Sequence, residues 1–116
     1  MEDTSKNTNK SADKQNTAAD SGTYVHTFKK PFKFDDTEYK TMNFHFDRLK
    51  GEDMIKIESE MTDNNEIAVA AEVSKSYQAR LAARAAKIGS DVIAAMPVGD
   101  FNAITNAARR FLLGMD

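Results

Sequence analysis

The sequence predicts an α+β protein: an N-terminal antiparallel β-hairpin followed by about three α-helices, preceded by a disordered polar arm. Three observations carry this prediction. Aromatic residues alternate with polar ones between Tyr24 and Phe46, apolar residues recur at spacings of three and four from Met54 onward, and residues 1–22 contain no aromatic residue and no Val, Ile or Leu. Period two marks a half-buried strand, and the three-four spacing marks an amphipathic helix.

The arm comes first. With Met1 as its only large apolar side chain, residues 1–22 cannot bury enough surface to offset the entropy of ordering them. Residues 23–116 then form a single domain. A body of that size buries little more than about 60% of its unfolded surface and is stable by a modest margin.

The hairpin is read over residues 24–46. Tyr24, His26, Phe28, Lys30, Phe32 and Phe34 alternate onto one face, and Pro31, which has no N–H to donate, places this strand at an edge or at a bulge. Asp35-Asp36-Thr37-Glu38 is a polar loop, after which Met42, Phe44 and Phe46 share a face. An isolated hairpin is marginal in water, so its aromatic face needs helices over it.

The helices are read over about 51–61, 66–88 and 100–113. The first carries Glu52 and Asp53 in its opening turn, where carboxylates complement the helix dipole, and Met54, Ile57 and Met61 as its buried stripe. The second has no Gly or Pro, and Ala70, Val73, Tyr77, Leu81, Ala85 and Ile88 line one side of it; a break, if there is one, falls at Val73-Ser74. Gly89 is expected at its C′ position with positive φ. Asp91 to Met96 reads as a turn of helix or a packed loop, and Asp100 as the N-cap of the last helix. That helix packs through Phe101, Ile104, Ala108, Phe111 and Leu112 and stops at Gly114.

No residue pattern here supports catalysis or a cofactor. His26 and His45 fall on opposite faces of the hairpin and the chain has no Cys, so a metal site has too few ligands on one side. Asp35-Asp36, Glu52-Asp53 and Glu58/Glu60 each have a local explanation as loop, helix start or exposed face. No glycine loop cradles a phosphate. The formal charge of −2 and pI near 5.7 provide no global attraction to nucleic acid or to an anionic membrane. With no apolar leader region or membrane-length run, the cytoplasm is the expected compartment.

The strongest local signal is basic. Arg80, Arg84 and Lys87 recur at i, i+4 and i+7 beside an apolar stripe, and Arg109-Arg110 join them, so that residues 74–116 carry +3 and the rest −5. Such a stripe reads first as a solvated face whose long stems cover apolar surface, and second as a contact for an acidic partner or phosphates. Phe111 and Leu112 form an apolar patch for a partner if the last helix packs only through Phe101 and Ile104.

Taken in order, Lys30-Pro31-Phe32 and Tyr39 of the hairpin, Leu49-Lys50-Gly51-Glu52-Asp53-Met54-Ile55-Lys56-Ile57-Glu58, the alanine-rich helix, and Met96-Pro97-Val98-Gly99-Asp100-Phe101 through Phe111-Leu112 resemble the tail assembly chaperones of tailed bacteriophages, the gpE/gp41/gp14-like group. The resemblance spans about residues 24–114. It implies a non-enzymatic protein of a phage or prophage, acting in the host bacterial cytoplasm. Its implied partners are the tape measure protein, the major tail (tube) protein, and further copies of itself. Arg80, Arg84, Lys87, Arg109, Arg110, Phe111 and Leu112 are the residues expected to meet a partner. The alternatives from other classes are a structural tail or head-tail connector subunit of the virion and, ranked below it, a small nucleic-acid-binding regulator.

Overall fold

A computed structural model describes residues 22–67 and 70–115. Within them the order is β1 (Thr23–Phe34), β2 (Thr37–His45), a 3₁₀ turn (Phe46–Arg48), α1 (Gly51–Asp63), a second 3₁₀ turn (Ala71–Val73), α2 (Lys75–Ala86), α3 (Ser90–Ala94) and α4 (Val98–Leu112). The α+β hairpin-then-helices prediction holds. The disordered-arm expectation for residues 1–22 lies, apart from Gly22, outside the described residues.

β1 and β2 pair antiparallel from Thr23↔His45 to Thr27↔Thr41, then again from Phe32↔Tyr39 to Phe34↔Thr37. The register shifts in between, where Pro31 sits, which is the bulge its missing N–H called for. The loop is tighter than expected: Asp35 and Asp36 alone make it, with Asp35 at φ 54°, a conformation Asp tolerates better than most residues. The bulge also corrects the strict alternation. Lys30 leaves the aromatic face for solvent, and Tyr39 comes onto it, its ring 6.1 Å from that of Phe32. A ladder of rings results, running Tyr24, His26, Phe28, Phe32, Tyr39 with centroids 4.7 to 6.1 Å apart.

α1 begins where Lys50 N–H donates to the Asp53 carboxylate at 2.8 Å. It ends in a Schellman arrangement, with Asn65 at φ 61° and Glu66 N–H returning to the Met61 carbonyl at 2.7 Å. Ile57 and Met61 are buried as predicted.

The expected single helix over 66–88 is corrected. Residues 66–67 and 70–74 are not α-helical; α2 starts only at Lys75, because Ser74 in extended conformation caps it, Oγ accepting from Tyr77 N–H at 3.1 Å. A capping hydroxyl offers the backbone an alternative to continuing a helix, so the break falls at Val73-Ser74. Gly89 is not the C′ residue either. Lys87 takes the left-handed conformation at φ 59°, Ile88 N–H reaches the Ala83 carbonyl at 2.9 Å, and Gly89 instead precedes α3, a fourth helix. α4 likewise starts earlier than predicted, at Val98, so Asp100 is in its first turn and is not its N-cap. Gly114, at φ 73°, ends it as expected.

α2 is the centre of the packing. Tyr77, Gln78, Ala79, Leu81, Ala82, Ala83 and Ala85 are all buried on it, and the hairpin, α1, α3 and α4 each lie against it. Alanine makes this possible, since small side chains let several neighbours approach one helix closely. Leu81 of α2 and Phe44, Ile57, Ile93 and Ile104 from the four elements around it have no exposed surface.

Candidate partner-binding surface

Arg80 and Arg84, the two residues that gave the basic stripe its prominence, face α1 and the chain that follows it. The Arg80 guanidinium grips the Glu66 carboxylate with two bonds of 3.1 and 3.2 Å, lies 3.8 Å from Glu60, and also bonds Ser76. Arg84 reaches Asp53 at 3.4 Å and Glu60 at 3.5 Å. Their charge is therefore matched within the molecule and ties α1 to α2, a placement that sequence spacing alone did not reveal. Both are partly buried, and forked guanidinium contacts are stronger than single ones.

The Ser76 hydroxyl, and then the Arg80 guanidinium, hold the Glu66 carboxyl below its usual range. A depressed folded value stabilises the fold fully above the unfolded value near 4.5, and that stabilisation is lost as the pH falls through the folded value. Stability measured by urea titration should accordingly drop on acidification below that point. Glu66→Gln should flatten this acid limb; an unchanged acid limb would show that Glu66 does not contribute to it.

The last helix is locked by two polar knots. At its start, Tyr24 Oη lies 2.8 Å from His26 Nδ1 and His26 Nε2 lies 2.7 Å from Asp100 Oδ1. A carboxylate can only accept, so Nε2 carries the proton and, in the neutral ring, Nδ1 accepts from the phenol. Burial, with the Asp100 charge adding to it, pushes the Tyr24 phenol up, which keeps that donor protonated. Further along, Thr105 accepts from Lys75 Nζ at 3.0 Å, and the Glu72 carbonyl accepts from both Gln78 Nε2 (2.8 Å) and Arg109 Nε (3.1 Å). His26 is thus a buried structural histidine on the aromatic face, as its alternation indicated.

The end of α4 is half-open. Phe111 stacks on Phe46 with centroids 5.4 Å apart and Leu112 is half-buried, so α4 packs past Ile104 to its last turn and the condition for an exposed Phe111-Leu112 patch is not met. Exposed apolar side chains lie elsewhere. Leu113 and Met115 follow Arg109 and Arg110, Ile55 stands on the outer side of α1, and Ile67 and Val73 flank the segment between α1 and α2. Sequence reasoning missed these. Ile55 was detectable, since it falls between half-buried Met54 and buried Ile57 and cannot share their stripe. Lys87, Arg109 and Arg110 are exposed, Lys87 just past the end of α2 and the other two in the last turn of α4.

Among the described residues no group of three or more His, Cys, Asp or Glu side chains could hold a metal, and no helix is long and apolar enough to cross a membrane. A β-hairpin over an alanine-centred helical layer, with charged and apolar side chains shown side by side on its surface, is the body in which the following match falls. Residues 25–113 match the profile of the family described as phage tail assembly chaperone proteins, E, or 41 or 14. The chain belongs to this phage tail assembly chaperone family. No curated protein and no solved structure matches it.

Proposed function

We propose that the protein binds the tape measure protein of its phage and helps recruit tail tube subunits while the tail is being built, in the host cytoplasm and without catalysing a reaction. The observation that carries this reading is the family match over residues 25–113. The surface is compatible with it. A small body with separate exposed apolar positions can engage a long apolar rod many times over, and many weak contacts sum to tight coverage. Of the residues expected to meet a partner, Lys87, Arg109 and Arg110 are exposed and offer charge, Leu112 and Phe111 offer part of their apolar surface, and Arg80 and Arg84 act by holding α1 in place.

Co-expression with the tape measure protein tests the proposal. The expected result is a complex that co-purifies and a larger soluble fraction of the tape measure protein than when it is expressed alone. No complex together with no gain in solubility overturns the proposal. The abundance of the chain in purified virions is a second measure: a chaperone that leaves before completion should be absent from mature tails.

A further inference from the structure

The sheet of the described residues has two strands, so each has one edge without a neighbouring strand. The two edges are not equivalent. β1 carries two devices that natural sheets use against unwanted pairing: Pro31 has no N–H to offer, and the bulge between Thr27 and Phe32 interrupts the ladder. β2 has neither. Its nine residues, Thr37–His45, contain no Gly or Pro. Among the helices α2 packs on it, where Met42 and Phe44 are buried, while α1 and α4 touch the strand at most marginally. Alternate residues of such a strand turn their N–H and C=O away from the ladder. Among the described residues no backbone group outside the ladder bonds to β2. Charge gathers near the middle of this hairpin. Lys33 faces Glu38 across the ladder, but Lys40 stands opposite the bulge, where Lys29 and Lys30 are also exposed. Asp35 and Asp36 lie beyond, in the loop, and among the described residues no carboxylate is in ion-pair contact with these three lysines. Next to Lys40, the half-buried Tyr39 ring stacks on Phe32 at the inner face of the sheet.

We propose that the open edge of β2 takes up an extended acidic segment of a partner protein as a third strand. Main-chain hydrogen bonds to the unpaired edge supply affinity, as in other cases of strand addition. The lysines select carboxylates on one face of the segment, and Tyr39 favours an apolar side chain on the other. The charged contacts stay near solvent, so salt weakens them. For the partner's identity the inference rests on the proposed function, and the partner is the tail tube subunit. The end of α4, which there meets the tape measure protein, adjoins Phe46 just past β2. Lys40 lies about 20 Å back along the strand from Phe46. A protein that recruits one partner while holding another needs two surfaces that do not overlap, and these two are so placed.

The probe is the purified tail tube protein of the same phage, mixed with the full chain and followed by amide hydrogen exchange and by fluorescence anisotropy of the labelled chain. The outward amides of β2 should exchange quickly in the free chain and slow by about tenfold or more in the complex, as pairing with a new strand requires. Lys40→Glu should weaken binding by about tenfold, and Lys29→Glu/Lys30→Glu should weaken it in the same direction, so that the test stands if one variant folds poorly by circular dichroism. Arg110→Glu, at the end of α4, should leave it unchanged. Binding without slowing on β2, or Lys40→Glu and Lys29→Glu/Lys30→Glu both binding as tightly as the parent, overturns the inference and leaves the proposed function standing. Duplex DNA bound through the same lysines as tightly as the tube protein assigns them to phosphates and overturns it as well. A chain that binds no tube protein overturns it even where the tape measure protein is still made soluble. Slowed β2 amides in a chain that captures no tape measure protein sink the proposed function alone.

Discussion

Replacing Phe44 by Ala is expected to remove most of the stability of the folded body. The ring has no exposed surface, stands 5.9 Å from Tyr24 and 6.2 Å from Phe46, and Phe46 in turn stacks on Phe111 of the last helix. Its loss leaves a cavity where the hairpin meets α2 and removes contacts that join the start of β1 to the end of the chain. Large-to-small changes of this type cost about 3–5 kcal/mol. A domain of this size has a total of about 5–15 kcal/mol. Urea denaturation should show a midpoint moved far to lower denaturant or no folded baseline. A loss under about 1 kcal/mol would mean that the site collapses around the missing ring and that the stack is not central to the core.

The second large effect is expected at Asp100. Its carboxylate sits in the first turn of α4, where it complements the dipole, and it accepts the proton-bearing nitrogen of a histidine buried on the hairpin. Asp100→Ala removes the acceptor and leaves His26 Nε2 without a partner in a buried place. A lost bond to a charged group costs about 1.5–3 kcal/mol, and the dipole adds about 0.3–1 kcal/mol. Asp100→Asn keeps an oxygen that can accept and should lose less. Denaturant titration of the two variants beside the parent decides the matter. If Asp100→Ala stays within about 0.5 kcal/mol of the parent, it behaves as an ordinary surface substitution and the knot contributes nothing.

What could be read from the residues was what local chemistry decides. Pro31 foretold the bulge, Met54, Ile57 and Met61 the inner face of α1, and Gly114 the end of α4, because each depends on its own backbone or on helical spacing. The helix over 66–88 is shortened at the break point the sequence marks, Val73-Ser74, because the Ser74 hydroxyl caps a new helix where no Gly or Pro announces an end. Tyr39 comes onto the aromatic face because the register shift at the bulge pairs it with Phe32, and the size of that shift cannot be counted from alternation.

The candidate surface was less legible than the fold. Arg80 and Arg84 form a visible stripe in sequence, yet whether such a stripe meets a partner or a neighbouring helix depends on docking angles that spacing does not encode. The bond between His26 and Asp100 joins residues 74 apart, beyond the reach of any local pattern. Phe111 could be recognised as apolar, but only the position of Phe46 determines that it is half-buried. The family, in contrast, was legible, because it is carried by the succession of segments and does not depend on any one contact.

The way α1 is fastened has a consequence for how the molecule comes apart. Among the described residues it leans chiefly on α2, through Ile57, Met61 and the carboxylates that Arg80 and Arg84 grasp. A part so attached can swing free as a unit while the sheet and the remaining helices keep their places. Its amides therefore belong to a less protected tier than those of α2, which is released only when the whole body melts, and ionic strength governs how often that outer tier opens.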